Sequence, residues 1–248
     1  MFMEQKIAVV TGGTGGIGSA ICERLAVDYQ VIACYFKEGK HEEAKLWQAY
    51  KKEAGYDMDI LYADTTQFAD CEKLTDLVME RYGRIDVLVN NAGITCDTTL
   101  KKMTSEQWQQ VLDANLTSVF NMTRNVLPMM LDKGYGRIIS ISSVNGRKGQ
   151  FGQCNYAATK AALFGFSKSL ALEVANKGIT VNTISPGYIE TPMLAAMKED
   201  VLKSIINTIP VGRLGRPQEI ANAVAFLADS ESGFITGANL DINGGQYM

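Results

Sequence analysis

The 248-residue sequence has a single histidine, His41, and its five cysteines include no C-x-x-C pair. A Ser-His-Asp hydrolase or a Cys-His protease would have to be built on that one imidazole. A tetrahedral zinc site made of cysteine and histidine is equally disfavoured. We therefore expect no metal site, and any acid–base chemistry has to come from tyrosine, lysine, serine, aspartate or glutamate.

Basic excess, long apolar runs and an export signal are also missing from the sequence. Lysine and arginine number 24 against 27 aspartates and glutamates, a net charge of −3 that disfavours a nucleic-acid partner. No apolar run approaches the roughly 18 residues of a membrane span, and the N-terminus lacks a basic segment followed by an apolar one. An odd number of scattered cysteines suits a reducing compartment. We expect a cytoplasmic protein without membrane association.

Short apolar, β-branched runs alternate with longer amphipathic segments along the whole chain. The short runs predict seven buried strands: Ile7–Val10, Val31–Cys34, Asp59–Tyr62, Ile85–Val89, Arg137–Ile141, Ile179–Ile184 and Ala238–Ile242. The longer segments predict helices at residues 16–27, 40–54, 67–82, 105–132, 155–176, 192–208 and 217–229. Such alternation gives right-handed crossovers and a parallel sheet. The expected fold class is α/β: one Rossmann-type domain over residues 1–248, a doubly wound, seven-stranded parallel sheet flanked by helices.

The first predicted strand leads into a glycine-rich turn, and a helix follows. The turn fits G-x-G-x-x-G through Gly13, Gly15 and Gly18, and its alternative spacing T-G-x-x-x-G-x-G begins at Thr11. Glycine lets the backbone turn sharply and approach a pyrophosphate, and the helix N-terminus offers free N–H groups to negative charge. An ordinary tight loop is the alternative, but the strand before it and the helix after it favour a dinucleotide site. The expected contacts are Gly12, Thr14, Gly15, Gly16, Ile17 and Gly18.

The end of the second predicted strand distinguishes the two nicotinamide dinucleotides. A carboxylate there would hold the adenosine ribose of NAD, whereas basic residues suit the 2′-phosphate of NADP. The strand ends without a carboxylate, and basic residues follow at Lys37, Lys40 and His41. This favours NADPH as the cofactor, although Glu38 is acidic and lies about 20 residues beyond the turn, the spacing typical of NAD enzymes. Asp64, after the third strand, is placed either to hydrogen-bond the adenine edge or to cap a helix.

Tyr156 and Lys160 are four residues apart and share one face of a predicted helix. A free tyrosine has a pKa of about 10. A nearby positive charge would lower that pKa and bring proton exchange towards neutral pH. Ser143 ends a strand thirteen residues before Tyr156, where its hydroxyl can hold a carbonyl oxygen; the adjacent Ser142 faces the other side of that strand.

Six segments in this order make the chain similar to the short-chain dehydrogenase/reductase family over essentially its full length. They are Thr11–Gly18, Asn90–Gly93, Asn115, Ser143, Tyr156-x-x-x-Lys160 and Pro186–Gly187. The resemblance implies that Tyr156 protonates a carbonyl oxygen that Ser143 holds. It implies that Lys160 binds the nicotinamide ribose and lowers the Tyr156 pKa, and that Asn115 anchors a water of the proton relay. Further cofactor contacts are implied for Asn91, Ala92, Gly93, Tyr156, Lys160, Pro186, Gly187 and Ile189.

Finer similarity concerns the segments around Ser142–Tyr156 and Ser185–Ile189, which look like those of acetoacetyl-CoA reductases. The resemblance implies NADPH-dependent reduction of acetoacetyl-CoA to (R)-3-hydroxybutanoyl-CoA, a polyhydroxybutanoate precursor, by a homotetramer. The acyl-CoA substrate would be contacted by Asp97, Ser143, Val144, Gln150, Phe151, Gln153, Tyr156, Gly187 and Tyr188.

Two alternatives stay open at this point. A 3-oxoacyl-[acyl-carrier-protein] reductase is the nearer one, and its carrier would need a basic docking patch. Candidates for that patch are Lys101, Lys102, Arg124 and Arg147. Arg147 and Lys148 would equally suit coenzyme A phosphates or plain solvation. A non-enzymatic dinucleotide sensor is the more distant alternative, and it should have lost one of the four residues Asn115, Ser143, Tyr156 and Lys160, all of which are present.

Overall fold

In a computed structural model, the structure describes residues 5–36, 39–191, 194 and 199–248. Lys37, one of the predicted cofactor contacts, and Glu38 lie outside the described residues, as does part of the helix predicted at 192–208. The strands are β1 (Ile7–Thr11), β2 (Gln30–Tyr35), β3 (Met58–Tyr62), β4 (Val87–Asn90), β5 (Gly136–Ile141), β6 (Ile179–Pro186) and β7 (Asn239–Ile242). They form one sheet in the order β3-β2-β1-β4-β5-β6-β7, and every neighbouring pair is parallel. The predicted seven-stranded parallel sheet is confirmed.

The helices cover both faces of the sheet and create two hydrophobic cores. They are α1 (Gly16–Leu25), α2 (His41–Glu53), α3 (Phe68–Tyr82), α4 (Ser105–Leu112), α5 (Ser118–Lys133), α6 (Val144–Lys148), α7 (Cys154–Val174), α8 (Glu199–Ile206) and α9 (Pro217–Ala228). Side chains alternate along a strand, so Val10 joins the core under α1 and α9, whereas Val9 joins the core under α3, α5 and α7. Strand order reverses between β1 and β4, which opens a crevice at the carboxyl ends of these strands.

Two helices differ from the prediction. The single helix expected over 105–132 is interrupted by a π-helical segment at Asp113–Thr117, between α4 and α5. The short helix α6 lies between the strand predicted at Arg137–Ile141 and the helix predicted at 155–176, where no element was predicted. Both segments are too short to change the amphipathic pattern from which helices are predicted, because that pattern is read over about a dozen residues. In the part of the chain that the structure describes, no helix is both long and apolar enough to cross a membrane.

Candidate active site

The glycine-rich turn after β1 is shaped by close backbone approaches. Gly12 has a φ of +63°, in the region that favours glycine. A Cβ on Gly18 would lie 2.1 Å from the Gly12 carbonyl oxygen, and one on Gly13 would lie 2.8 Å from the Ala33 Cβ of β2. These glycines therefore let the turn close against both α1 and the sheet.

The same turn exposes the N-terminus of α1. Gly15 and Gly16 are exposed, Thr14 and Ile17 are half-buried, and the first turn of the helix carries no acidic side chain. Backbone N–H groups in a first helical turn have no partner within the helix, and together with the helix dipole they favour an anion. The predicted pyrophosphate contacts thus lie together at an open, positively polarised helix end.

The segment after β4 is fastened to this turn. The Asn91 side-chain Nδ2 donates to the carbonyl oxygens of Thr11 (3.0 Å) and Gly12 (3.2 Å). The Ala92 backbone N–H donates to the Thr11 Oγ1 at 3.0 Å. The side-chain amide of Asn91 therefore holds the segment after β4, which forms one wall of the crevice, against the glycine turn. The position of this crevice wall is thus set by the position of the turn.

Asn115 lies in the π-helical segment and is fully buried. Its Oδ1 accepts the Ile94 N–H at 2.8 Å, and its Nδ2 donates to the Ile94 carbonyl at 2.9 Å and to the Thr159 Oγ1 at 3.3 Å. A Cβ on Gly93 would lie 3.0 Å from Asn115 Oδ1 and 3.3 Å from Lys160 Nζ. Asn115 thus fixes the position of the crevice wall. Because Gly93 has no side chain, Lys160 can lie close to this wall. The water-anchoring role of Asn115 stays a prediction.

Tyr156 and Ser143 form the hydrogen-bonded centre of the site. The Ser143 Oγ accepts the backbone N–H of Asn145 at 3.1 Å, and the Ser143 hydroxyl is hydrogen-bonded to the Tyr156 phenol. Burial raises the pKa of Tyr156, the Ser143 hydrogen bond opposes that rise, and the negative charge of Asp97 adds to it. The expectation that this pKa is lowered is therefore wrong for the protein by itself, because desolvation of the phenolate dominates.

Lys160 is a buried cation that faces the backbone. Its Nζ donates to the Ile141 carbonyl at 2.8 Å and lies 5.6 Å from the centre of the Tyr156 ring. Burial lowers the pKa of Lys160 to about 8. Ser142 donates to the Lys160 carbonyl at 2.8 Å, so of the two adjacent serines it is Ser143 that faces the phenol.

A hydrogen-bonded series of polar side chains, the polar chain, connects Asp97 in the segment after β4 to Tyr188 in the loop after β6. Gln153 Nε2 donates to Asp97 Oδ2 at 2.8 Å, and Asn145 Nδ2 donates to Gln153 Oε1 at 2.9 Å. The Tyr188 hydroxyl is hydrogen-bonded to the Asn145 side chain. The structure thus links three predicted substrate contacts, with Asn145 as the connection between Gln153 and Tyr188. Asn145 was not among the predicted contacts, because no helix was predicted at α6.

The other predicted substrate contacts are placed differently. Val144 is buried at the start of α6, whereas Gln150 lies on the exposed loop between α6 and α7. Phe151 on the same loop is 87% exposed, so it packs on little of this chain. Gly187 lies against the C-terminal segment: its N–H donates to the Ile242 carbonyl at 2.9 Å.

The residues predicted at the adenosine end are partly engaged with each other. Lys40 is ion-paired with Glu43 at the start of α2. The His41 Nδ1 is 2.8 Å from the Tyr35 hydroxyl, and the His41 ring lies edge-on to Tyr62 at 5.1 Å between centres. The segment beyond β2 therefore carries an aromatic cluster beside one ion-paired lysine.

Two further predicted cofactor contacts have identifiable structural partners. Asp64 Oδ1 accepts both the backbone N–H (3.0 Å) and the hydroxyl (2.7 Å) of Thr66. It thus closes a turn two residues on and does not cap α3, whose N-terminal cap is Gln67. Ile189, after Pro186 at the end of β6, is buried and pairs with Gly215 as an isolated parallel bridge.

Arg147 has a partner that neither sequence interpretation anticipated. Its guanidinium is 3.4 Å from an Asp241 carboxylate oxygen and lies over the rings of Phe164 (5.4 Å) and Tyr247 (5.2 Å). Arg147 therefore links α6 to the C-terminal segment, although its side chain remains partly exposed to solvent. Among the described residues no group of three or more His, Cys, Asp or Glu side chains is arranged to hold a metal ion.

Comparison with known proteins adds relatives that span the whole chain. Residues 12–246 match the family model described as enoyl-(acyl carrier protein) reductase. The chain is 51% identical over 243 residues to the acetoacetyl-CoA reductase of Allochromatium vinosum, covering 98% of this chain and 99% of that protein. It is 51% identical over 248 residues to the acetoacetyl-CoA reductase of Cupriavidus necator, covering 99% and 100%. It is 47% identical over 249 residues to the 3-oxoacyl-[acyl-carrier-protein] reductase of Escherichia coli, covering all of both.

Proposed function

The chain belongs to the short-chain dehydrogenase/reductase family, and we propose that it uses NADPH to reduce acetoacetyl-CoA to (R)-3-hydroxybutanoyl-CoA. It is an oxidoreductase of the CH–OH/C=O group. The observation that carries the proposal is the hydrogen-bonded pair of Ser143 and Tyr156, with the buried ammonium of Lys160 beside it. Acetoacetyl-CoA as the substrate is supported by the names of the two relatives at 51% identity.

The residues present fit a dinucleotide. Gly18 packs against the Gly12 carbonyl oxygen with no space for a Cβ, which holds the turn at the open end of α1, and that helix end favours a pyrophosphate. A Cβ on Gly93 would crowd Asn115 and Lys160, so glycine lets this segment lie close to the Lys160 Nζ, to which the ribose is assigned. NADPH, when bound, supplies the hydride for the carbonyl carbon. The proposed preference of the protein for NADPH over NADH rests on Lys37 and Lys40. Lys40 is ion-paired with Glu43, and a 2′-phosphate would have to displace that ion pair.

Proton transfer to the carbonyl oxygen is assigned to Tyr156. A proton donor must be protonated at working pH, and burial, by raising the phenol pKa, keeps it so. The Ser143 Oγ accepts the Asn145 N–H, and its hydroxyl proton, which faces the Tyr156 oxygen in the protein by itself, would turn to the carbonyl oxygen of a bound substrate. Lys160, with a pKa of about 8, is charged at neutral pH and stabilises the phenolate that remains after the transfer.

The polar chain of Asp97, Gln153, Asn145 and Tyr188 is assigned to the thioester. Its amide and hydroxyl groups suit carbonyl oxygens on a short 3-oxoacyl group. We infer a homotetramer, since exposed apolar side chains lie on the helices that would meet partner copies. They are Trp108 on α4, Phe120 and Leu131 on α5, and Leu172 on α7. A cytoplasmic location and supply of a polyhydroxybutanoate precursor complete the proposal.

The test is an absorbance assay at 340 nm that crosses NADPH and NADH with acetoacetyl-CoA and with an acetoacetyl-acyl-carrier protein. We expect the highest kcat/KM for NADPH with acetoacetyl-CoA, and chiral analysis should give the R alcohol. A large preference for the carrier protein would favour the second candidate, a 3-oxoacyl-[acyl-carrier-protein] reductase, which the 47% identical Escherichia coli relative supports. Equal activity with NADH would refute the cofactor assignment.

A further inference from the structure

Asn145 connects the catalytic pair to the mouth of the site. It lies in α6 two residues after Ser143, and only 7% of its surface is exposed. Its backbone N–H donates to Ser143 Oγ (3.1 Å), and its side-chain Nδ2 donates to Gln153 Oε1 (2.9 Å). One residue therefore contacts the catalytic serine through its backbone and the polar chain through its side chain.

The hydrogen-bond capacity of Asn145 is divided unevenly. A primary amide offers two N–H donors and one oxygen acceptor. One donor serves Gln153, and because the Asn145 Oδ1 has no partner, the hydrogen bond to the Tyr188 hydroxyl falls to the Nδ2. Burial raises the pKa of Tyr188, and this hydrogen bond opposes that rise. The Oδ1 of Asn145 is buried without a partner. Because an unpaired buried carbonyl is unfavourable, packing alone does not explain an asparagine here.

Asn145 also determines which way the Gln153 amide faces. The Asp97 carboxylate only accepts hydrogen bonds, so the Nε2 of Gln153 must point towards it. The Asn145 N–H fixes the Oε1 on the other side. The second N–H of Gln153 is then left for an acceptor such as a thioester carbonyl. Gln153 precedes α7 by one residue and Tyr156 by three, so this orientation is tied to the helix that carries the proton donor.

We propose that Asn145 is a positioning residue for the acyl substrate: it holds Gln153 and Tyr188 in the orientation that aligns a short 3-oxoacyl thioester with Ser143 and Tyr156. This inference rests on the proposed function. It predicts that loss of the Asn145 donors weakens recognition of the thioester and leaves the dinucleotide site unaffected.

Asn145→Asp tests the proposal, because it keeps the shape of the side chain and replaces its donors by acceptors. We expect kcat/KM for acetoacetyl-CoA to fall about 30-fold or more, mainly through KM, while the KM for NADPH changes less than about twofold. The matched control is Asn125→Asp, at a half-buried amide on α5 that donates to the Asn121 carbonyl; it should leave both KM values within about twofold of wild type. Unchanged recognition of acetoacetyl-CoA in Asn145→Asp would overturn the proposal.

Combined variants separate positioning from a general structural effect. If Asn145 acts through Gln153 and Tyr188, then in a background that carries Gln153→Ala and Tyr188→Phe, Asn145→Asp should lower kcat/KM less than about threefold further. The positioning role would be refuted if the fold-losses in kcat/KM of the separate variants simply multiplied in the combined variant. A parallel rise in the KM for NADPH would also refute it. Wild-type activity is measured first, and the variants are assayed with whichever 3-oxoacyl thioester the wild type prefers. A wrong substrate assignment is thereby distinguished from a wrong role for Asn145.

Discussion

Lys160 should make the stability of the protein depend on pH in a direction that is unusual for a lysine. Its ammonium is buried and its partner is the Ile141 carbonyl, not a carboxylate. Burial lowers its pKa from 10.5 to about 8. The charged form is thus disfavoured in the folded protein relative to the unfolded chain, and the catalytic role proposed for Lys160 is in conflict with stability.

The sign and size of the effect follow from linkage. Below pH 8 Lys160 is charged in both states, and the folded state bears the full cost of burying the charge. Between pH 8 and 10.5 the folded protein has released the proton that the unfolded chain still holds, so the free energy of unfolding rises with pH. The two pKa values give a rise of about 2.5 kcal/mol between pH 7 and pH 10.

Comparison with Lys160→Met isolates this contribution. Urea unfolding followed by tryptophan fluorescence, at one protein concentration and at several pH values from 7 to 10, gives the free energy of unfolding of each protein. The difference, wild type minus variant, should rise by about 2.5 kcal/mol over this range. Loss of the hydrogen bond to Ile141 shifts the difference by a constant and leaves the slope unaffected. Lys168→Met, at an exposed lysine of the same helix, should show no such rise. A flat or falling difference for Lys160→Met would refute the reasoning.

Three further variants test the site. Tyr156→Phe removes the proposed proton donor, so kcat should fall about a thousandfold while NADPH binding, followed by fluorescence, is kept; near-normal turnover would exclude Tyr156 as the acid. Asp97→Asn removes a negative charge that raises the pKa of Tyr156 but still accepts from Gln153, so the alkaline limb of kcat/KM for reduction should move to lower pH; a limb that stays in place or moves up would contradict this. Gly18→Ala places a Cβ 2.1 Å from the Gly12 carbonyl oxygen, so the Kd for NADPH should rise at least about tenfold; an unchanged Kd with a native circular dichroism spectrum would show that the turn is not the dinucleotide cradle.

The sheet and the glycine turn could be predicted because their physical causes are local. A parallel strand buried on both faces is a continuous apolar run, and β1, β2 and β6 are buried along nearly their whole length. The turn needs glycine wherever backbones meet, as Gly18 and Gly12 do. Both features are therefore visible in the residue types of a few consecutive positions.

The π-helical segment could not be predicted for the opposite reason. Asp113–Thr117 adds a wider turn between α4 and α5 without glycine or proline to mark it. The apolar pattern on either side is compatible with one helix, so the expected helix was continuous. What stabilises the segment lies elsewhere in the chain: Asn115 satisfies the backbone N–H and carbonyl of Ile94 and donates to Thr159. A wider turn with long-range partners has no signal in its own sequence.

In the short helix α6, Gly146 made the helix hard to predict from the sequence, yet the packing of the site requires a glycine at this position. Gly146 lowers helix propensity in a five-residue segment, and this hid the helix from sequence analysis. A Cβ on Gly146 would lie 2.8 Å from the Lys160 carbonyl carbon and 2.9 Å from the Lys160 Cβ. Only glycine lets α6 lie directly on α7 at this point. Because Ser143 precedes α6 and Tyr156 lies on α7, this contact between the two helices brings the serine hydroxyl within reach of the phenol.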